Sequence, residues 1–191
     1  MKVIAINGSA RKDGNTAILL TRVLNVLEAE GFETELIQLA GQQIRGCNAC
    51  RSCYDTKNKC CIIETDKVNE YTAKMVEADG IIFGSPVYFS MMTPELKALI
   101  DRAGYVARAN EDMFKRKVGA AVVAVRRAGA ILTFDAINNF FLMSQIIVPG
   151  ASYWNVGIGR NKGEVENDEE ALQTMDSLGQ NMAWLIKKIK A

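Results

Sequence analysis

The sequence predicts a single α/β domain built on a parallel sheet with helices on both faces. Three features lead to that fold class. Short apolar runs alternate with longer segments of helical period along the 191 residues. The runs at 3–6, 80–84 and 118–125 are apolar almost throughout, as strands buried on both faces are. Loops carrying glycine or polar residues follow those runs, where the chain must turn from strand into helix.

Val3-Ile4-Ala5-Ile6 reads as the first strand. After a Gly/Ser/Asn loop, Leu20, Val23, Leu24 and Leu27 recur at helical spacing, and Gly31 supplies the stop. Residues 34–39 read as a second strand. The cysteine-rich segment comes next, and Val68, Tyr71 and Met75 then mark a helix. Residues 80–84 are a third buried strand. Thr93-Pro94-Glu95 reads as an N-cap with proline at the first helical position, opening a helix with Leu96, Leu99, Ile100 and Ala103 on one face. Residues 118–125 are a fourth strand, and Phe134, Ile137 and Phe141 belong to the next helix. A fifth strand is expected to start at Ile146-Ile147-Val148 and to continue near 153–156. Leu172, Met175, Met182, Ile186 and Ile189 place the last helix, with Gly179 in the remaining slot of its stripe. Five βα units suit the flavodoxin-like strand order 2-1-3-4-5. Ligands of such sheets sit beyond the carboxyl ends of the strands, where the winding reverses, so the loops after the first and third strands are the expected site.

Composition removes several classes of function. A formal net charge of +1 gives no ground for nucleic acid or an anionic membrane surface as partner. The apolar start at Val3–Ile6 is too short for a signal peptide or a membrane span, and no later stretch approaches the length of a span, so a cytoplasmic protein is expected. Histidine is absent, which excludes the Ser-His-Asp triad, Cys-His proteases and imidazole bases. The five cysteines all fall within residues 47–61, an odd and crowded set that suits a metal or redox cluster better than disulfides.

Four motifs carry the chemistry. Gly8-Ser9-Ala10-Arg11-Lys12-Asp13-Gly14-Asn15-Thr16 offers free N–H groups at a helix start, hydroxyls on Ser9 and Thr16, and a cation at Arg11, all suited to a phosphate monoester. It has neither the Gly-Lys-Ser/Thr ending of a nucleotide-hydrolysing loop nor a dinucleotide fingerprint. Gly84-Ser85-Pro86-Val87-Tyr88-Phe89-Ser90 puts aromatics beside that loop, which suits a planar ring. Arg126-Arg127-Ala128-Gly129 after the fourth strand could face a flavin's pyrimidine edge, or simply be solvated. Cys47, Cys50 and Cys53 stand at three-residue spacing, and one of Cys60 and Cys61 completes a four-thiol set for an iron–sulfur cluster or for zinc.

The first loop, the cysteine run and Gly84-Ser85-Pro86-Val87-Tyr88 together resemble the NADPH-dependent FMN reductase-like group, and within it the iron–sulfur flavoproteins. The likeness extends through Thr93-Pro94-Glu95-Leu96-Lys97 and Pro149-Gly150 to Tyr153-Trp154-Asn155. It implies a flavodoxin-like FMN-binding domain over 1–191 with a cluster loop at 46–65. Ser9, Arg11, Gly14, Asn15 and Thr16 would take the FMN phosphate, and Pro86, Val87, Tyr88 and Phe89 would lie against the ring, with Arg126, Arg127 and Gly129 nearby. Cys47, Cys50, Cys53 and, from the acidic stretch that follows it, Cys61 would hold a [4Fe–4S] cluster.

The resemblance implies FMN-dependent electron transfer between a redox partner (NAD(P)H or a ferredoxin-like carrier) and a small-molecule acceptor, in a homodimer or homotetramer. The cysteine loop is expected at the same end of the sheet as the FMN loops. A cluster-free NAD(P)H-dependent FMN or quinone reductase, and a non-enzymatic phosphate-ligand module with a structural zinc held by four cysteines, are the other functions these residues could serve. No NAD(P)H-specific motif is visible.

Overall fold

The computed structural model describes residues 1–191. The chain runs β1 (Lys2–Asn7), α1 (Asn15–Ala29), β2 (Glu33–Gln38), α2 (Ser52–Thr56), α3 (Val68–Glu77) and β3 (Gly80–Pro86). It continues through α4 (Pro94–Ala109), β4 (Val118–Val125), α5 (Ala130–Met143), β5 (Val156–Ile158), a 3-10 turn at Glu164–Asn167 and α6 (Glu169–Lys190). The five strands form one parallel sheet in the order β2-β1-β3-β4-β5, the flavodoxin-like order expected from the sequence.

Strand alternation divides the core into two layers. Ile4 and Ile6 of β1, with Ile81 and Phe83 of β3, face α3, α4 and α5. Val3, Ala5 and Ile82 face the opposite way, into a cluster built by α1 and α6. Burial on both faces is what made these strands continuous apolar runs. Where β1 and β3 end, the chain must separate to make room for a ligand. Gly8 crosses there so closely that a Cβ would sit 2.9 Å from Thr93 Oγ1 and 3.0 Å from the Gly84 carbonyl. Only glycine fits that crossing.

One local expectation is met with a different role for its side chain, and one is corrected. Thr93 does precede α4 with Pro94 at the first helical position, but its hydroxyl does not cap the helix. It donates instead to the Gly8 carbonyl at 2.8 Å, tying the start of α4 to the loop after β1. The fifth strand does not begin at residue 146. Ile147 makes only an isolated parallel bridge to Val118, and β5 itself is Val156–Ile158, paired with Val123–Val125. Pro149 has no N–H for a ladder. Asn155 then satisfies the Ala121 carbonyl with its side chain at 3.0 Å, so the chain between the two pairings bows away from the sheet edge.

Gly179 sits where α6 crosses α1, and a Cβ there would lie 2.7 Å from Val26 Cβ. Two effects oppose each other in Gly179→Ala. Helix propensity favours alanine by ~0.5–1 kcal/mol, whereas overpacking a core contact costs ~1–3 kcal/mol. The clash with a branched neighbour decides the sign, and urea unfolding of the variant should show a net loss of about 1 kcal/mol. A stabilised variant would mean that the helices cross less closely than described.

Candidate functional site: a cleft at the strand ends and a cysteine segment on α4

One cleft opens at the carboxyl ends of β1, β3, β4 and β5. Its lining contains Ser9, Arg11, Gly14, Asn15 and Thr16 from the first loop, Pro86, Val87 and Tyr88 from the third, and Arg126 after β4. Three arginines and no acidic residue line it. The first turn of α1 has no side-chain cap and no acidic residue, so its leading N–H groups are available to an anion. The loop that leads to it is rigidly held. Asn7 Oδ1 accepts from the Ser9 N–H at 3.0 Å, Asn7 Nδ2 donates to Gln38 at 2.6 Å, and Gln38 Nε2 donates to the Ser9 carbonyl at 2.8 Å. The Ser9 hydroxyl accepts from the Arg11 N–H at 3.1 Å, and Thr16 is 1% exposed on the cleft wall.

Asn15 behaves differently from its neighbours. Its carboxamide donates to the Asn161 carbonyl at 2.9 Å and accepts from the Gly163 N–H at 2.9 Å. Both ends of the amide are thus spent on fastening the turn after β5 across the start of α1. That turn brings in Gly159 and Arg160, which the sequence reading missed together with Ala124. A Cβ on Gly159 would meet Asn15 Nδ2 at 2.7 Å, so glycine is required for the turn to close. The signal in the sequence was Gly157-Ile158-Gly159-Arg160, a short strand ending in glycine and a cation.

Phe89, Arg127 and Gly129 do not line the cleft. Tyr88 and Met91 exchange both backbone hydrogen bonds, at 2.8 and 3.0 Å, around a two-residue turn in which Phe89 and Ser90 have φ of 49° and 63°. Positive φ at both corners is the hairpin geometry usually made by Asn-Gly. It carries Phe89 to the tip, fully exposed, rather than against the cleft. Gly129 has φ 86° and a Cβ on it would lie 2.7 Å from Ser90 Oγ, so it makes room for that hairpin.

The cysteine segment meets α4 through α2 and through Cys61. Arg102, in the middle of that helix, is 1% exposed and is surrounded by groups from both limbs of the cysteine segment. It donates to the carbonyls of Arg45 at 3.3 Å and Ile63 at 2.7 Å, to Cys61 Sγ at 3.3 Å, and to the Asp66 carboxylate. Burial alone would push the Asp66 carboxyl up, but hydrogen bonds from Arg102 and from the amides of Arg45 and Val68 outweigh it and hold it below the ordinary carboxylate range. The pair is therefore ionised at neutral pH. The stability it contributes is complete above ~4 and is lost as pH falls through the lowered folded value.

Cys61 is bracketed by Asn69, whose side chain accepts from its N–H at 2.8 Å and donates to its carbonyl at 2.9 Å. Burial pushes the Cys53 thiol up, and the charges of Cys61 and Cys50 add to the shift. Ser52 donates to Cys50 Sγ at 3.4 Å and lowers that thiol's pKa. Ala49, Arg51, Lys57 and Lys59 all have positive φ, so the backbone changes hand repeatedly within this segment. Successive residues of alternating hand make the concave amide nests that house many iron–sulfur groups. No three metal-binding side chains converge closely enough to hold a single ion.

The segment's placement corrects one expectation. It leaves β2 at the cleft end of the sheet, yet it is anchored along α4, from Arg102 to Asn110 at the helix's far end, where Asn110 accepts from the Lys59 N–H at 3.0 Å. Arg102 and Asn69 were also missed in the sequence. The available signal was an arginine beside Ala103 on the buried stripe of α4.

The profile of a protein family described as NADPH-dependent FMN reductase matches residues 1–161. An iron–sulfur flavoprotein of Methanocaldococcus jannaschii is 42% identical over an alignment covering 100% of both chains. An iron–sulfur flavoprotein of Methanosarcina thermophila is 33% identical, over 100% of this chain and 97% of that one. Among solved structures, the flavoenzyme NAD(P)H:(acceptor) oxidoreductase of Paracoccus denitrificans superposes with a TM-score of 0.71 at 18% identity, covering 98% of this chain and 97% of that one. With this sheet order, this cleft and these matches, the chain belongs to the NADPH-dependent FMN reductase family and is an FMN-dependent oxidoreductase of flavodoxin-like fold.

Proposed function

We propose that this protein is an iron–sulfur flavoprotein, which binds FMN in the cleft and a [4Fe–4S] cluster on Cys47, Cys50, Cys53 and Cys61, and which transfers electrons between a reduced donor and an acceptor. The observation that carries the reading is the presence in one chain of an arginine-lined cleft with Tyr88 on its wall and of five cysteines gathered within residues 47–61. The names of the two archaeal relatives agree with it.

In the cleft, the N–H groups opening α1, Thr16, Ser9 and Arg11 would receive the phosphate, with Arg160 as a further cation. Asn15 acts by holding the turn that carries Arg160. Pro86, Val87 and Tyr88 would lie against the isoalloxazine, and Arg126, which lines the cleft where Arg127 does not, would be the cation that favours the anionic reduced ring. Three cysteines at three-residue spacing with a fourth a few residues on suit a cluster, whereas zinc more often uses two CxxC pairs well separated in sequence. Zinc draws four sulfurs onto one ion at ~2.3 Å, whereas a cubane spreads its four thiolates over separate irons. Cys61 is favoured over Cys60 because Asn69 fixes its backbone and Arg102 faces its sulfur. FMN exchanges electrons in pairs or singly and a cluster singly, so together they would couple a two-electron donor to a one-electron acceptor.

Two measurements test these assignments. Arg126→Gln should lower the two-electron potential of bound FMN, by ~30 mV for each tenfold change in the relative affinity for reduced and oxidised flavin. Arg127→Gln should leave it in place. A spectroelectrochemical titration in which Arg127→Gln shifts the potential and Arg126→Gln does not would reverse the assignment. For the cysteines, anaerobically prepared Cys61→Ala should lose or convert the cluster while retaining FMN, and Cys60→Ala should keep both. Iron content that falls in Cys60→Ala and not in Cys61→Ala would move the fourth ligand.

A further inference from the structure

The turn after β5 is folded by one carboxylate and fastened to the start of α1 by one amide. Gly159 leaves the sheet with its N–H on the Val125 carbonyl at 2.8 Å. Glu164 then accepts from the N–H groups of Arg160 at 2.7 Å and Asn161 at 2.8 Å, and from the Asn161 side-chain amide. These bonds, led by the Asn161 N–H, hold the Glu164 carboxyl below the ordinary range, so it is ionised at neutral pH. Asn15, the first residue of α1, fastens the folded turn through the Asn161 carbonyl and the Gly163 N–H, both at 2.9 Å. Gly163 takes φ of 84° there. At the surface, Lys162 pairs with Asp13 of the first loop.

Arg160 therefore joins the cleft lining from a backbone that is fixed on both sides of it. Gly159, just before it, lies so close to α1 that a Cβ would meet Asn15 Nδ2 at 2.7 Å and the Val165 nitrogen at 2.8 Å. Arg160 thus starts from the place where the unspent amides of α1 begin, in a lining that it shares with Arg11, Ser9 and Thr16. Two guanidinium groups, two hydroxyls and a helix N-terminus are a large donor set for one phosphate. A phosphate monoester has three terminal oxygens and a charge of about −1.5 to −2 at neutral pH. A phosphate inside a diester linkage has fewer free oxygens and a single charge, and a hydroxyl has no charge at all.

We propose that residues 159–164 are a second phosphate loop, in which Glu164 and Asn15 are positioning residues for Arg160, and that Arg160 makes the cleft select a flavin ending in a phosphate monoester, FMN, over riboflavin and FAD. The inference rests on the reading that FMN occupies the cleft. Neither positioning residue has to touch the flavin: Glu164 folds the turn, and Asn15 sets its distance from α1. A phosphate contact by the Asn15 side chain would require giving up one of the two bonds its amide already makes.

Equilibrium dialysis of the full-length protein against an equimolar mixture of FMN, FAD and riboflavin, with the retained flavins counted by chromatography, tests it. The ratios of retained flavins do not depend on the fraction of a variant that folds, so a merely structural role leaves them unchanged. Wild-type protein should retain mainly FMN. Arg160→Gln should lower the FMN-to-riboflavin ratio about tenfold or more, the factor that one hydrogen bond to a charged group represents, and should lower the FMN-to-FAD ratio as well. Glu164→Ala and Asn15→Ala should reproduce most of that fall. Adding either to Arg160→Gln should bring little more, since both act through the same guanidinium. Unchanged ratios in Arg160→Gln would overturn the proposal. So would losses from Asn15→Ala and Arg160→Gln that multiply in the double variant, because Asn15 would then meet the phosphate itself. In both cases FMN retained by the wild type leaves the FMN reading standing. Wild-type protein that retains none of the three flavins would overturn that reading and this inference with it.

Discussion

Arg102 has to find partners for its charge and its N–H groups in a place that water does not reach. A guanidinium with a fully buried side chain is costly unless it is paired and hydrogen-bonded. α4 cannot supply the partners, since its own carbonyls are spent in the helix. They come instead from the segment between β2 and α3: the carbonyls of Arg45 and Ile63, the Asp66 carboxylate and the Cys61 sulfur. One side chain therefore clamps both limbs of a long connection that holds only a five-residue helix of its own. A hydrophobic residue at this position could match the pair in stability, but it would not specify where residues 45, 61, 63 and 66 meet. The fork geometry of the guanidinium does specify it.

The other end of the molecule is organised by close backbone approach. Gly8, Gly84 and Thr93 bring the ends of β1 and β3 and the start of α4 into contact, with the Gly8 N–H donating to the Gly84 carbonyl at 2.8 Å. The crossing pins the first loop, and the Asn7–Gln38–Ser9 network stiffens it further, so the first turn of α1 is presented with its amides unspent. The two sites are thus built from different physics on one scaffold: steric closeness for the cleft, a buried charge for the cysteines. Because they share α4, each constrains the other's position without sharing a ligand.

Much of this was legible in the sequence. The strands buried on both faces announced themselves as apolar runs, and the order of elements implied the sheet. Both cleft loops followed from glycine, hydroxyl and aromatic residues at the switch point. Long-range side-chain bonding was not legible. Nothing local marks Asn15 as a clamp on residues 161–163, or Asn155 as a substitute rung on β4. The exposed tip at Phe89 escaped because Phe89-Ser90 lacks the residues that usually take positive φ, and its conformation depends on Gly129, some forty residues away. Arg102 was hidden by the convention that arginine on a helix belongs to solvent, although its register beside Ala103 said otherwise.

The central claim is that a flavin and an iron–sulfur cluster reside in the same chain. Its most direct test is the cofactor content of wild-type protein prepared without oxygen, from iron, labile sulfide, zinc and FMN measured on one sample. The expected result is about four irons and about four labile sulfides per chain, accompanied by about one FMN. About one zinc per chain with neither iron nor sulfide would contradict it, and the cysteine segment would then be a structural clamp on an FMN enzyme.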